Sequence, residues 1–386
     1  MTIRKTLIEI QNSLSFEKLE PFKEGTIWST FGDEERNLFA HLLLMQGEQQ
    51  LAEGNAQVIE SFKTAAEVSC QSPMILFRQG KILSQYKENI RCLNLAIQAF
   101  SKAIEQNPLF FEAWIERAHT LILIGMFEFD QTYLTEAKEH FEHVYSFMDI
   151  TKVDLGQFYN KWGECLYALG KISGEPCDLQ QALSKFRLAN EYGCEEVEFI
   201  NEYGQCFAAL AMLLRKPEYF EDAFHLFDRA VQYDSNHFDS WFNRACCLQQ
   251  MFEIHPTQFL EREAEDSFVR AAEINQELSL LWFKWGQLES FVGKIKRDNE
   301  KIESSFEKFE KANQLDPNQP GVLCAWGLIQ LFLGAQKEDI SLIQSAQEKV
   351  IRALEIHPED GQIWYMYGCC LNELGRYFSD LRYLDQ

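Results

Sequence analysis

The fold is decided by two adjoining stretches, LLWFKWGQLESFVGK at residues 280–294 and KIESSFEKFEKANQLDPN at residues 301–318. In the first stretch, apolar side chains recur at the i, i+3, i+4, i+7 spacing of an amphipathic helix. In the second, Phe309 and Ala312 share one helical face, and Pro317 ends the pattern because proline cannot continue a helix. One repeat of this chain is therefore a pair of helices, which we call helix A and helix B.

The same pattern returns along the chain at steps of 41 residues. Helix A carries a small residue inside its apolar stripe, and helix B carries a large apolar residue followed three positions later by alanine. We call each set of corresponding residues a track. The small-residue track is Gly163, Gly204, Ala245, Gly286, Gly327 and Gly368; the large-residue track is Phe186, Phe227, Phe268, Phe309 and Val350; and the alanine track is Ala189, Ala230, Ala271, Ala312 and Ala353. Because glycine within a helix costs about 1 kcal/mol relative to alanine, a repeated small residue indicates that another helix approaches closely. Repeats of this length are typical of a solenoid.

The repeat resembles the tetratricopeptide repeat (TPR). That family has large residues and a glycine on helix A, then alanine, an aromatic residue, a second alanine and proline on helix B. Here those positions are Trp282, Trp285, Gly286, Ser305, Phe309, Ala312 and Pro317. The resemblance covers about residues 38–386 and implies an all-α fold, a right-handed superhelical solenoid of antiparallel helix pairs.

The repeat departs from the family in length, 41 residues here against about 34 in the family. The surplus lies between the small residue of helix A and the first alanine of helix B, for example between Gly163 and Ala182. Seven residues make about two helical turns, so the sequence predicts one added turn on each helix; a long loop at one edge is the alternative. We expect Gly293 to stop helix A.

The tracks divide the chain into a cap and a solenoid. Residues 1–32 are expected to form an N-terminal capping helix and a link marked by proline and glycine. Residues 33–386 are expected to form a TPR-like solenoid of about eight full helix pairs and an incomplete final pair at 359–386. The incomplete pair suggests a fragment, a truncated reading frame, or an end covered by a partner or, through self-association, by a second copy.

Charge and apolar content exclude some classes of partner. With 36 basic and 59 acidic residues, the chain has a net charge of −23. This charge opposes binding of nucleic acid or anionic lipid, since both are held mainly by Lys and Arg. The acidic residues either form a solvated outer face or attract a basic partner. The sequence shows no signal peptide and no apolar run long enough to span a bilayer, so we expect a cytoplasmic location without membrane insertion.

No residue pattern points to catalysis, a cofactor or a metal. The sequence has no GxSxG, HExxH or GxxxxGK[ST] motif, and its 11 cysteines include no CxxC pair. Four cysteines follow the small-residue track by two positions, as packed, reduced thiols do; they are Cys165, Cys206, Cys247 and Cys370. His140 and His143 are expected to be exposed helix-surface residues. We therefore expect no enzyme activity, no cofactor and no metal site.

The resemblance places a partner on the concave face, which helix A lines in the family. Two helix-A positions, transferred residue by residue, give as candidates Asn160, Glu164, Asn201, Gln205, Phe242, Phe283, Gln287 and Tyr365. Amides bind an extended peptide backbone, and aromatic rings supply anchors. No Lys or Arg stands at these positions, so a clamp for an acidic peptide tail is not expected. Alternatively, several of these side chains only pack against a neighbouring helix.

The function that these features favour is a non-catalytic scaffold that binds a protein or peptide on the concave helix-A face. One alternative is a TPR-type chaperone that masks a secreted or membrane-inserted client, with an amphipathic client helix near Phe242 and Phe283. A second alternative is the interaction arm of a longer enzyme.

Overall fold

The computed structural model describes residues 3–23, 28–53, 58–69, 72–147 and 154–378. Within these ranges the chain forms eighteen α-helices and one 3-10 helix, and no strand. The all-α fold class predicted from the sequence is confirmed. The chain divides into two compact units, Met1–Cys194 and Glu195–Gln386.

The N-terminal unit consists of four helix pairs preceded by a short helix. Its elements are α1 (Ile3–Ser13), a 3-10 helix (Phe16–Phe22), α2 (Asp33–Ala52), α3 (Val58–Val68), α4 (Pro73–Ser84), α5 (Ile90–Gln106), α6 (Phe111–Glu128), α7 (Gln131–Phe147), α8 (Leu155–Ser173) and α9 (Pro176–Glu191). Each even-numbered helix is a helix A and packs against the helix B that follows it.

The C-terminal unit has the same organisation. Its elements are α10 (Val197–Leu214), α11 (Glu218–Tyr233), α12 (Phe238–Ile254), α13 (Gln258–Ile274), α14 (Ser279–Lys296), α15 (Asn299–Leu315), α16 (Pro320–Lys337), α17 (Ile340–Ile356) and α18 (Gly361–Phe378). The last of these is a helix A after which no further helix is described.

Each pair is closed by a small residue of helix A that lies against a side chain of helix B. A Cβ atom placed on Gly163 would lie 2.6 Å from Cε1 of Phe186, and one placed on Gly204 would lie 2.7 Å from Cε1 of Phe227. Normal contact between carbon atoms is about 3.5–4.0 Å, so only glycine fits there without displacing the ring. The small-residue track and the aromatic track of the sequence are therefore two sides of one contact.

A second small residue stands seven positions further along helix A. A Cβ atom placed on Gly293 of α14 would lie 2.6 Å from Cγ1 of Ile302 on α15. Ile302 precedes Phe309 by seven positions, as two antiparallel helices require. The same contact is made by Gly125 with Leu134, Gly170 with Leu179, and Gly334 with Ile343. The prediction that Gly293 stops helix A is wrong: α14 continues to Lys296, because Gly293 serves the close approach of α15 instead.

The surplus residues of the repeat lie in the helices. From α8 to α17 the helices have 16 to 19 residues, and the connections from helix A to helix B have only two or three. In the C-terminal unit, helix A begins at Phe238, Ser279, Pro320 and Gly361, at steps of 41 residues. The structure thus has the longer helices that the sequence predicts, and the added turns carry the second contact.

The N-terminal helix α1 packs onto the first helix pair. Its side chains Leu7 and Ile10 are 0% and 1% exposed and share an apolar cluster with Phe39 of α2. Two expectations concern residues outside the described ranges: part of the link, at 24–27, and the start of a final helix B, at 379–386.

We predict that Gly163→Ala destabilises the protein. The new methyl group must displace the Phe186 ring, at a cost of about 1–3 kcal/mol, of which the higher helix propensity of alanine restores up to about 1 kcal/mol. Gly321→Ala is the matched control, because a Cβ atom at Gly321 meets no atom within 4 Å. Urea unfolding should show a lower midpoint for the first variant and an unchanged or higher midpoint for the second. Equal midpoints would contradict the contact.

Candidate functional site

Two of the predicted binding residues are buried between helices. Asn160 of α8 and Asn201 of α10 are 5% and 4% exposed. The side chain of Asn201 accepts a hydrogen bond through Oδ1 from Nδ2 of Asn243 on α12, at 3.1 Å. In this structure, neither asparagine offers appreciable surface to a partner.

Phe242, Phe283 and Tyr365 occupy the same position, three residues before the small residue. The Phe242 ring stacks on Phe238 with centroids 5.9 Å apart, and the Phe283 centroid lies 6.2 Å from that of Phe309. Both rings are half-buried, whereas Tyr365 on α18 is 75% exposed. The apolar clusters around Phe242 and Phe283 include side chains of the next helix A, such as Leu281 and Val322, whereas no helix is described after α18.

The other transferred position lies one residue after the small residue. Glu164, Gln205 and Gln287 occupy it, and all three are half-buried. Of these, Gln287 lies in a groove of the C-terminal unit.

This groove has a volume of about 400 Å³ and is lined mainly by three helices A, α12, α14 and α16. The middle helix, α14, contributes Lys284, Gln287, Phe291 and Lys294. Their spacing of three, four and three residues places them on one face of the helix. At 3.6 residues per turn, this face lies roughly a third of a turn away from the line of small residues that closes the pair.

The two sides of the groove differ in chemistry. On α12, the side-chain amides of Gln249 and Gln250 donate to Glu253 at 3.0 and 3.2 Å. The Oε1 atom of Gln249 is buried and accepts no hydrogen bond from the described residues. On α16, Leu328 is 47% exposed and the nearby Phe332 is 42% exposed. One side therefore carries amides that are hydrogen-bonded to a carboxylate, and the other side offers apolar surface.

The two lysines of the groove have no acidic partner among the described residues. By contrast, neighbouring lysines do; for example, Lys296 lies 2.6 Å from Glu261. The Lys294 ammonium lies 5.2 Å from the centre of the Phe332 ring, and burial lowers the pKa of Lys294. A nearby anion would offset this desolvation of the charged form.

In the N-terminal unit, charges on helices A pair with one another. Glu116 of α6 lies 3.0 Å from the ammonium of Lys161 on α8 and 3.9 Å from that of Lys81 on α4. Burial opposes ionisation of Glu116, but Lys161 and Lys81 outweigh it and hold the pKa of Glu116 below its ordinary value. A partner at this face would have to compete with existing ion pairs.

The same face holds a histidine that is neutral at pH 7. His119 Nε2 lies 3.9 Å from the carboxylate of Glu164. Burial, assisted by the positive charge of Lys161, lowers the pKa of His119 to about 4.

His140 is not the exposed residue that the sequence predicts. Its side chain is 12% exposed, because Trp114 and Arg117 of α6 lie against it. Burial and the charge of Arg117 lower the pKa of His140 to about 4. His143, one turn further on, is exposed as predicted.

Two cysteines of the track are packed thiols, as predicted. Cys165 and Cys247 are 0% and 3% exposed. Their thiols donate to the carbonyl oxygens of Leu134 at 3.4 Å and Phe220 at 3.2 Å, each on the preceding helix B. Burial raises the pKa of both thiols, so they are protonated at neutral pH.

Two broader features concern only the part of the chain that the structure describes. No three His, Cys, Asp or Glu side chains are grouped there so as to hold a metal ion. None of the helices described there is both long enough and apolar enough to cross a bilayer.

The contact between a small residue of helix A and a large residue of helix B recurs in the order of the TPR pattern. This chain has an all-α, TPR-like fold of antiparallel helix pairs. No protein-family model matches it, and no curated protein matches it in sequence.

Several solved structures are similar to this chain. One is a tetratricopeptide repeat protein from Parabacteroides merdae, with 16% identity over 78% of this chain and 100% of that chain and a TM-score of 0.47. Another is the C-terminal part of a TPR protein from Cytophaga hutchinsonii, with 13% identity over 75% and 98% of the two chains and a TM-score of 0.46. MamA from Desulfovibrio magneticus is 16% identical over 54% of this chain and 98% of that chain, with a TM-score of 0.41.

Of the groove residues, Gln287 and Leu328 stand at a position transferred from the TPR pattern, one residue after Gly286 and Gly327, although Leu328 was not among the predicted binding residues. Lys284 and Lys294 were missed because only two positions of helix A were transferred from the family. Lys294 also lies on the added turn, which a repeat of ordinary length lacks. A signal does exist in the sequence, since Lys284, Gln287 and Lys294 share one face of this helix.

We predict that the protein loses stability as the pH falls from 6.5 towards 4, partly through His119. In this range the unfolded chain takes up a proton that folded His119, with its pKa of about 4, does not, so protonation favours the unfolded state. The contribution should be about 1–3 kcal/mol, and His119→Gln should remove it.

Urea unfolding at pH 7 and pH 5 tests this prediction. The exposed His255 gives the control His255→Gln, which should keep the pH dependence of the parent chain. The same pH dependence in both variants would contradict the role of His119.

Proposed function

We propose that this TPR chain is a non-catalytic scaffold that binds a protein or peptide partner in the groove over α12, α14 and α16. The observation that carries the proposal is the arrangement, on three successive helices A, of amides, exposed apolar side chains and two lysines that have no acidic partner among the described residues. A surface with these three kinds of group suits a peptide, whose backbone and side chains use all of them.

The packing of the repeats supports binding to a preformed surface. In α14 and α16, two small residues per helix bring helix B into close contact, at Gly286 and Gly293 and at Gly327 and Gly334. Helices fixed in this way lose little conformational freedom when a partner binds, so less of the interaction energy is spent on ordering.

The structure favours the scaffold over the client-masking alternative. That alternative relies on exposed rings at Phe242 and Phe283, and both are half-buried between repeats. We keep the other expectations as parts of the proposal: a cytoplasmic location, no binding of nucleic acid, an N-terminal cap at 1–32, and self-association through 359–386.

A photo-crosslinking residue placed at position 328 or at position 259 tests the location of the site. Leu328 lies in the groove, whereas Phe259 is 63% exposed on α13, a helix B. We expect a partner protein from the source organism to crosslink at 328 and not at 259.

The partner identified in this way is then titrated against two variants. Leu328→Glu should weaken binding at least about tenfold, since it puts a charge where an apolar contact was worth about 1.5–3 kcal/mol. Phe259→Glu should bind as the parent chain does. Crosslinking at 259 alone, or equal affinities of the two variants, would contradict the proposed groove.

A further inference from the structure

The lysines of the C-terminal unit show which charges are left for a ligand. Among those carried by helices, Lys296, Lys301, Lys308 and Lys337 pair with glutamates. Lys311 and Lys349 lie over the rings of Trp282 and Trp326, at 3.9 and 4.1 Å from the ring centres. In the described structure, Lys284 and Lys294 have no carboxylate partner and lie farther from aromatic rings, at 5.9 Å from the centre of the Phe283 ring and 5.2 Å from that of Phe332. Both line the groove.

We propose that the groove binds an extended acidic peptide. Two carboxylate side chains of the peptide contact Lys284 and Lys294, and a bulky apolar side chain between them packs on Leu328 and Phe332. This inference rests on the proposed function and adds the chemistry of the partner.

The positions of the two lysines set the spacing of the carboxylates. They are ten residues apart on α14, which at 1.5 Å per residue is about 15 Å along the helix. An extended chain rises about 3.3 Å per residue, so the two acidic residues of the peptide are four or five positions apart. A separation of four is favoured, since it places both acids and the residue midway between them on one side of the peptide.

The sides of the groove complete the match. Gln287 lies between the two lysines on α14, and the buried Oε1 of Gln249 has no described donor. A peptide N–H group can supply that donor. On α16, the half-exposed Leu328 and Phe332 offer apolar surface that the central side chain of the peptide can cover.

The groove is locally positive although the chain is acidic. Its ionisable lining residues are Lys284, Lys294 and Glu253, and both neighbouring amides already donate to Glu253. Exposed charges beyond about 8 Å are largely screened at physiological ionic strength. The net charge of −23 therefore does not prevent binding of a short acidic peptide, whereas it opposes binding of a long polyanion such as RNA.

Synthetic peptides test the proposal. The probe is a fluorescent peptide with blocked ends and the core Glu-Ser-Leu-Ser-Glu, so that no terminal carboxylate takes part. Two comparison peptides replace both Glu residues by Gln, or Leu by Ser. Fluorescence anisotropy should show that the Glu peptide binds at least tenfold more tightly than the Gln peptide, with affinity that falls as salt is added.

Variants of the protein then locate the charges. Lys284→Ala and Lys294→Ala should each weaken the Glu peptide about three- to tenfold and leave the Gln peptide unchanged. Lys216→Ala is the control, because this exposed lysine lies outside the groove on the connection after α10. Equal affinity for the Glu and Gln peptides, an equal effect of Lys216→Ala, or preference for a single-stranded RNA of similar length would overturn the proposal.

The test separates this inference from the proposed function. If Leu328→Glu abolishes binding of the natural partner but the two lysine variants do not, the groove is the binding site and the proposal of an acidic ligand is wrong. If substitution of neither the two lysines nor Leu328 changes the affinity for that partner, the groove itself is not the binding site.

Discussion

The contact between a small residue of helix A and a large side chain of helix B is the constraint on which the structure depends. At Gly163 and Gly204 the opposing phenyl ring leaves no room for even a methyl group. Seven positions further along, a second glycine such as Gly293 admits a branched side chain of helix B in the same way. The two contacts fix the distance and register of the helices in a pair, and the second one occupies the turns by which this repeat exceeds the ordinary TPR length.

Closing each pair in this way also determines which face of helix A is free. On α14, the glycines face α15, and Phe283 packs against Phe309 and the next repeat. The remaining stripe, from Lys284 to Lys294, faces the groove. In the N-terminal unit the corresponding surface carries the ion pairs of Glu116 with Lys81 and Lys161. The two units thus share one packing scheme but differ in the charges that are available to a ligand.

The fold was predictable from the sequence because its deciding contact leaves two in-phase tracks, one small and one large. Periodicity likewise located the surplus residues in the helices. Single residues were less predictable: Gly293 looked like a helix stop because the approach of α15 is a tertiary feature. Asn160 and Asn201 were expected on an open face, and the structure shows both buried, because the TPR pattern does not show how closely adjacent helices A pack here. Lys284 and Lys294 became candidates only from the structure, in which neighbouring lysines are paired and these two have no acidic partner among the described residues.

The central claim is that pair closure and repeat packing use two faces of helix A and leave a third, on α12, α14 and α16, for a partner. Reductive methylation of lysines with and without the bound partner, read by mass spectrometry, measures this directly. The account predicts that Lys284 and Lys294 lose reactivity in the complex, while Lys216 and Lys311 keep theirs. Unchanged reactivity at Lys284 and Lys294, or protection of Lys311 on the helix B α15 instead, would contradict it.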